Sequence, residues 1–180
     1  MPSVIDVLKN RTQKDAISMS GNVNFVHYDG EGNVLGEYDG HNVVVLGGLQ
    51  NMANLLLTDV GGVAFDYIAV GTSNTAAATT DTALIGEDSR SAGAGTVTST
   101  TLSEDTAQLQ VTFAITGADV AIQESGVFAS SVTGIMLCRK TFSDINVSTG
   151  DSLQVTGFVS VKSSLTDQLE SEIRLIGYAT

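Results

Sequence analysis

The sequence has no tryptophan, one cysteine, one proline and only eight basic residues, and it contains no long apolar run. Each shortage excludes something. The single cysteine, Cys138, has no partner for an internal disulfide. It sits in the apolar run "GIMLCRK", where a thiol serves as a small core residue rather than a nucleophile. Eight Lys and Arg against 20 Asp and Glu give a net charge of -12. No nucleic acid partner is expected, because phosphate contacts need clustered cations. A bare anionic membrane is disfavoured for the same reason, and no apolar stretch reaches the ~20 residues of a spanning helix. With no Trp and 6 % aromatics, a platform of exposed rings for stacking sugars is not expected. The opening "MPSVIDVLKNRTQKDA" lacks the apolar centre of a signal peptide, so the expected place of synthesis is a cytoplasm.

What is present is enough for a real core. The chain has 180 residues, 42 % of them hydrophobic, which fits one domain with an appended arm. Charged residues make up 16 %, below the ~25 % of an ordinary soluble domain, and Ser and Thr fill the gap. The acidity has two readings, solubility or adaptation to high salt. The low charged fraction weighs against the second.

The N-terminus reads as a short helix. Pro2 and Ser3 precede it, and Asp6 follows Ser3 at capping-box spacing. Val4, Val7 and Leu8 then share one face, followed by Lys9, Arg11 and Lys14. This basic cluster in an acidic chain is either a solvated helix end or an arm that docks on an acidic neighbouring subunit. Residues 1–20 are assigned to this arm and 21–180 to the main domain.

Beyond the arm, Asp29-Gly30 and Asp39-Gly40 supply the positive φ angles of tight turns. They divide Val23–Tyr28, Asn33–Tyr38 and Asn42–Leu46 into three meandering strands. "GGLQNMANLLLTDVGG" reads as a helix bracketed by glycines, with Leu49, Met52, Ala53 and Leu56 on one apolar face. "QLQVTFAIT" and "SLQVTGFVSVK" alternate as half-buried strands, with Leu109, Val111, Phe113, Ile115, Leu153, Val155, Val159 and Val161 inward. "VAIQESGVF" and "GIMLCRKTF" are apolar on both faces and read as central strands, and "EIRLIGYAT" as a last one. Short strands separated by frequent turns predict a mainly β fold. The expected architecture is an antiparallel β-sandwich, jelly-roll-like, with one short internal helix and the N-terminal helical arm.

The search for chemistry yields no catalytic, cofactor-binding or metal-binding set. His27 and His41 each flank an Asp-Gly turn, without a Cys or carboxylate cluster at ligand spacing, and read as surface turn residues. "DGEGN" places Asp29, Glu31 and Asn33 like the first ligands of a calcium loop. Gly32 falls two positions early, however, and Gly40 stands where the closing Glu belongs. No Gly-x-Ser-x-Gly elbow or phosphate loop occurs. Glu124, inside an apolar strand, needs a partner, and Arg139 is the natural one if their strands are adjacent.

The order of segments carries more. "GHNVVVLGGLQNMANLLL" precedes "YIAVGTSNTAAATTDTALIGE", in which a strand ends at Gly71-Thr72, a small-residue loop follows, and Asp81–Leu84 restarts order, with Leu84 and Ile85 returning to the core. Then come "ESGVF" (Glu124–Phe128), "GIMLCRKTF" (Gly134–Phe142) and "TGDSLQV" (Thr149–Val155). This succession, over roughly residues 40–162, resembles a group of small structural proteins of tailed bacterial and archaeal viruses. The resemblance implies a virion part made in the host cytoplasm: a capsid decoration or turret subunit, or a tail, baseplate or fibre component. It implies as partners further copies of the chain and other virion proteins, such as a major capsid protein or tail hub. The exposed loop Ala76, Ala77, Ala78, Thr79 and Thr80 is then the candidate contact surface. A polysaccharide-active enzyme is the remaining reading. It needs paired carboxylates in a cleft, for which Asp29, Glu31, Glu37 and Asp39 are the dense candidates.

Overall fold

The computed structural model describes residues 17–57, 60–100 and 103–163. Chain contacts divide the protein into two units, residues 20–160 and the two ends, 1–19 with 161–180. The second unit contributes residues 17–19 and 161–163 to the described set, as outer ends of two strands. The expected arm with Val4, Val7, Leu8, Lys9, Arg11 and Lys14 lies outside the described residues, as does "EIRLIGYAT". Ile17–Ser20, counted above with the arm, open the first strand.

The described residues are mainly β. In chain order the elements are β1 (Ile17–Tyr28), β2 (Val34–His41), β3 (Val43–Val44), α1 (Leu46–Leu55), β4 (Tyr67–Gly71), β5 (Glu87–Ala92), β6 (Ala94–Thr98), β7 (Thr106–Ala114), β8 (Val120–Phe128), β9 (Met136–Val147) and β10 (Ser152–Ser163). They form two five-stranded sheets, one ordered β2-β1-β10-β7-β6 and the other β3-β9-β8-β4-β5. The pairings β1–β2, β6–β7 and β7–β10 in the first sheet, and β3–β9, β8–β9, β4–β8 and β4–β5 in the second, are antiparallel.

The period-2 alternation sets the core. Leu153 pairs with Phe113 and Val155 with Val111, so four apolar side chains share one face of the first sheet. They join Val23, Phe25 and Leu109 in one buried cluster with Ile68, Val70, Ile122, Val127, Leu137, Ile145 and Val147 of the second sheet. Each fully buried side chain of this size contributes about 1.5–3 kcal/mol. β8 and β9 are apolar on both faces because a second cluster of Val45, Ala69, Leu84, Phe128 and Met136 packs apart from the first.

Three local expectations differ. The Asp39-Gly40 pair is no turn: Asp39 pairs with Asn24 and Gly40 with Val23, inside β2. β1 is long enough to keep pairing, so the ladder runs through these residues. The three strands therefore do not meander in one sheet. After Asn42, whose N–H donates to Gly21 O at 3.0 Å, the chain crosses over, and Val43 and Val44 pair with Arg139 and Cys138 of β9.

The helix is also oriented differently. Gly47 and Gly48 lie inside it rather than before it, and it ends at Leu55. A methyl on Gly48 would fall 2.6 Å from Leu137 O, so the absence of a side chain lets the helix backbone lie on β9. The buried helix residues are Gly48 and Asn51. Met52 packs partly against the core, but Leu49 is 44 % exposed and Leu56 82 %. Asn51 is buried because its amide closes both main-chain groups of Val63, donating to O at 2.6 Å and accepting from N at 3.0 Å.

Candidate functional site

Arg139 of β9 organises the most elaborate polar cluster among the described residues. Its side chain and that of Glu124 on β8 are fully buried. Arg139 Nε and Nη2 donate to the same carboxylate oxygen, Glu124 Oε2, at 2.9 and 2.8 Å. Nη1 donates to Asp81 Oδ2 at 2.9 Å and Nη2 to Thr75 O at 2.9 Å, with Ala76 O 3.5 Å from Nη1. Glu124 in turn accepts from Gly86 N at 2.6 Å and Ile85 N at 3.2 Å. The ion pair thus uses its spare donors and acceptors on one segment, residues 75–86. The rigid guanidinium fork suits this, since a lysine ammonium offers no planar, bidentate geometry.

Local sequence explains why the segment can reach the pair. A methyl at Gly71 would lie 2.8 Å from Glu124 Oε1 and 2.5 Å from Gly86 O, so only glycine admits the carboxylate there. Gly71 also ends β4 at a register shift. Thr72 N then donates to Gly86 O at 2.8 Å, closing the base of the loop. At the far end Asp81 caps a tight turn: its Oδ2 accepts from Ala78 N at 2.9 Å, and its N–H donates to Ala78 O at 3.1 Å. The Ala78 N–H first and the Arg139 guanidinium second hold the Asp81 carboxyl below the usual carboxylate range, against partial desolvation. Leu84 returns to the core as expected, but Ile85 stays exposed.

The loop Ala76, Ala77, Ala78, Thr79 and Thr80 is therefore a surface segment fixed from below. Apart from half-buried Ala77 these residues are exposed, and Thr79 O accepts from Leu46 N at 2.8 Å, tying the loop to the start of α1. On β5, Arg90 stacks over Phe128 with its guanidinium carbon 3.6 Å from the ring centre, pairs with Glu87 at 2.6 Å and donates to Ser130 O at 2.9 Å. Arg90 did not stand out in the sequence; Asp81 did, as the residue that restarts order after the loop, but not as a partner of Arg139. Asp81 follows Ala78 at a capping distance, but nothing local announces a distant arginine.

The remaining candidates separate. His27 is buried, not a surface turn residue: β1 carries it inward, and its Nε2 lies 2.8 Å from Asp151 Oδ2. Asp151 also accepts from Ser148 N at 2.9 Å. The Ser148 N–H, followed by His27, lowers its carboxyl below the ordinary range, opposed in part by desolvation and by Asp29. His41 faces Asn22 in the β1–β2 register, while His27 faces Gly36, so the two histidines do not share a site. Asp29 spends its oxygens on its own turn, accepting from Glu31 N at 2.9 Å, Asn33 N at 2.8 Å and Asn33 Nδ2 at 2.9 Å. Glu37 and Asp39 point from exposed positions of β2. No group of three metal-ligating side chains is present among the described residues. Cys138 is buried, and desolvation pushes its thiol up to about 12.

A cleft of about 420 Å³ lies where the two sheets meet, floored by Val70, Phe113, Ile122 and Leu153, with Asp88 and Asp119 on its lining. Asp119 Oδ1 accepts from Thr149 N at 3.0 Å. Compared with protein-family models, curated proteins and solved structures, the chain finds no match. Chemically, then, the Arg139 cluster has its donors and acceptors engaged within the chain, and what it offers outward is a fixed loop.

Proposed function

We propose that this chain is a non-enzymatic structural subunit of a tailed-virus particle, a capsid-surface decoration or turret protein that assembles as a symmetric oligomer. The observation that carries the reading is the Arg139–Glu124 pair. It spends a buried ion pair on holding an exposed, uncharged loop in one shape, which serves a contact surface and no bond-making step. The sequence resemblance supplies the viral setting: its "ESGVF" segment is the second half of β8, its "GIMLCRKTF" segment runs into the first half of β9, and the two provide this pair. In the same reading the two sheets and their common core form a sandwich of jelly-roll-like kind. The chain acts in the virion, having been made in the host cytoplasm, and meets further copies of itself and the major capsid protein or tail hub. The arm over residues 1–16 clamps it to an acidic neighbour.

A tail, baseplate or fibre role is the second reading, favoured by the exposure of Ala76–Thr80, which then touches the host. Quantitative mass spectrometry of purified particles separates the two: many copies per particle are expected for a decoration protein, a few for a tail part. Absence from purified particles overturns both. Deleting residues 1–16 is expected to lower incorporation, and unchanged incorporation removes the arm from the proposal.

A further inference from the structure

Most of the apolar stripe of α1 faces away from the core. Met52 of that stripe packs partly against the core, but Leu49 and Leu56, in line with it by spacing, are 44 % and 82 % exposed, and Leu46 is 53 % exposed. The inward side is taken by Gly48 and Asn51. A large exposed apolar patch on a β-protein of this size calls for a covering partner.

The surroundings say which partner. Three segments meet here. Leu46 N donates to Thr79 O at 2.8 Å, Val45 N donates to Leu137 O at 3.0 Å, and a methyl on Gly47 would lie 3.8 Å from Ile135 Cγ2. Residues 42–58, 67–80 and 125–138 contain no Asp, Glu, Lys or Arg. Yet residues 20–160 carry fifteen acidic and three basic residues, the whole net charge of -12, while the two ends carry five of each. Beneath the loop Arg139 is paired with both Asp81 and Glu124.

Two bodies of charge -12 repel wherever their carboxylates approach. Close contact between them favours a face without charge; β1, β6, β7 and residues 152–161 of β10 are also free of Asp, Glu, Lys and Arg, and the α1 face adds exposed leucines to that property. We infer that the surface built from α1, the loop Ala76–Thr80 and Ile135 is the interface between two copies of this chain. The inference names the surface for the oligomer of the proposed function and rests on that part alone, not on the viral setting.

The test is sedimentation equilibrium of the full chain across protein concentration and salt. Wild type is expected to self-associate, and to do so more tightly as salt rises, because screening weakens repulsion between the acidic bodies while the contact itself is uncharged. Leu49→Asp, Leu56→Asp and Ala78→Asp are each expected to weaken association about tenfold or more, with the midpoint of thermal unfolding at low protein concentration unchanged. A chain that stays monomeric at every salt, association that weakens with salt, or association indifferent to the three substitutions overturns the inference. Association that weakens with salt would instead point to the basic N-terminal segment as the contact. If particles lack the protein but it associates in this manner, the viral reading fails and the interface stands.

Discussion

Both nitrogens on one side of the Arg139 fork, Nε and Nη2, bond the same oxygen of Glu124, which leaves the other carboxylate oxygen to Gly86 N–H. The pair is thus a junction rather than a closed bridge. Its two strands face each other directly, with Glu124 opposite Thr141 and Arg139 opposite Gly126, and the segment it grips comes from far away in sequence.

Removing the cation leaves a carboxylate in an apolar interior with only two amide partners. Arg139→Met is expected to destabilise the fold by about 3–5 kcal/mol, the cost of breaking rather than replacing a buried pair. Glu124→Gln/Arg139→Met together should cost less than the sum of the single changes, since the double variant leaves no buried carboxylate at 124 without its cation. Urea unfolding of the four proteins checks this, and strict additivity contradicts the junction.

Asp81 connects the same guanidinium to the loop turn. Asp81→Asn keeps the shape but loses the charge, so the global cost is expected to be small, about 1–2 kcal/mol. The local effect is larger in kind: amide hydrogen exchange over residues 75–81 should accelerate while that of β8 and β9 stays slow. Uniform change across the chain would show that Arg139 does not hold the loop through Asp81.

Acid should loosen the protein through identifiable groups. The folded-state pKa values of Asp81 and Asp151 lie below their unfolded values, so the folded state binds fewer protons. Their contribution is complete above the unfolded carboxylate range near ~4 and disappears as pH falls through the lower folded values. Stability is therefore expected to drop on going from pH 5 toward pH 2. In Asp151→Asn that slope should be shallower. Denaturation midpoints measured against pH decide it, and identical slopes in mutant and wild type would remove Asp151 as a contributor.

How much of this was readable from sequence depends on how local the cause is. Leu109, Val111, Phe113, Leu153 and Val155 were legible because alternation is a local code for a two-faced strand. Glu124 and Arg139 were legible because a charge in an apolar strand must find a partner. The side of α1 that faces inward was not, since hydrophobic spacing marks a stripe without saying what will cover it, and Gly48 with Asn51 took the inner side. Asp39-Gly40 misled because the same dipeptide serves a turn or a strand, and the length of β1 decided between them. His27 and Asp151, 124 positions apart, are joined only by the strand order.

Burial makes a chemical prediction for Cys138. A thiol pushed up to about 12 is almost entirely protonated at neutral pH, and the thiolate is the reactive form. Alkylation by iodoacetamide in native buffer is expected to be negligible, and to become rapid in concentrated guanidinium. Fast native labelling would mean that β9 opens without global unfolding.

Two glycines give opposite expectations from the same substitution. At Gly48 a methyl meets Leu137 O at 2.6 Å and Leu137 Cα at 2.7 Å, and these are backbone atoms of a paired strand that cannot swing aside. Gly48→Ala improves intrinsic helix propensity by up to about 1 kcal/mol. The overlap nevertheless forces α1 off β9, and a net loss of about 1–3 kcal/mol is expected. At Gly95, in β6, a methyl meets nothing within 4 Å, and the backbone is in no left-handed conformation. Gly95→Ala should be neutral or stabilising by up to about 1 kcal/mol, because it restricts the unfolded chain without straining the folded one. Thermal unfolding of the two variants side by side tests whether α1 truly lies on the β9 backbone. If Gly48→Ala proves as harmless as Gly95→Ala, the helix stands further from the sheet, and the outward turn of its leucine stripe loses its cause.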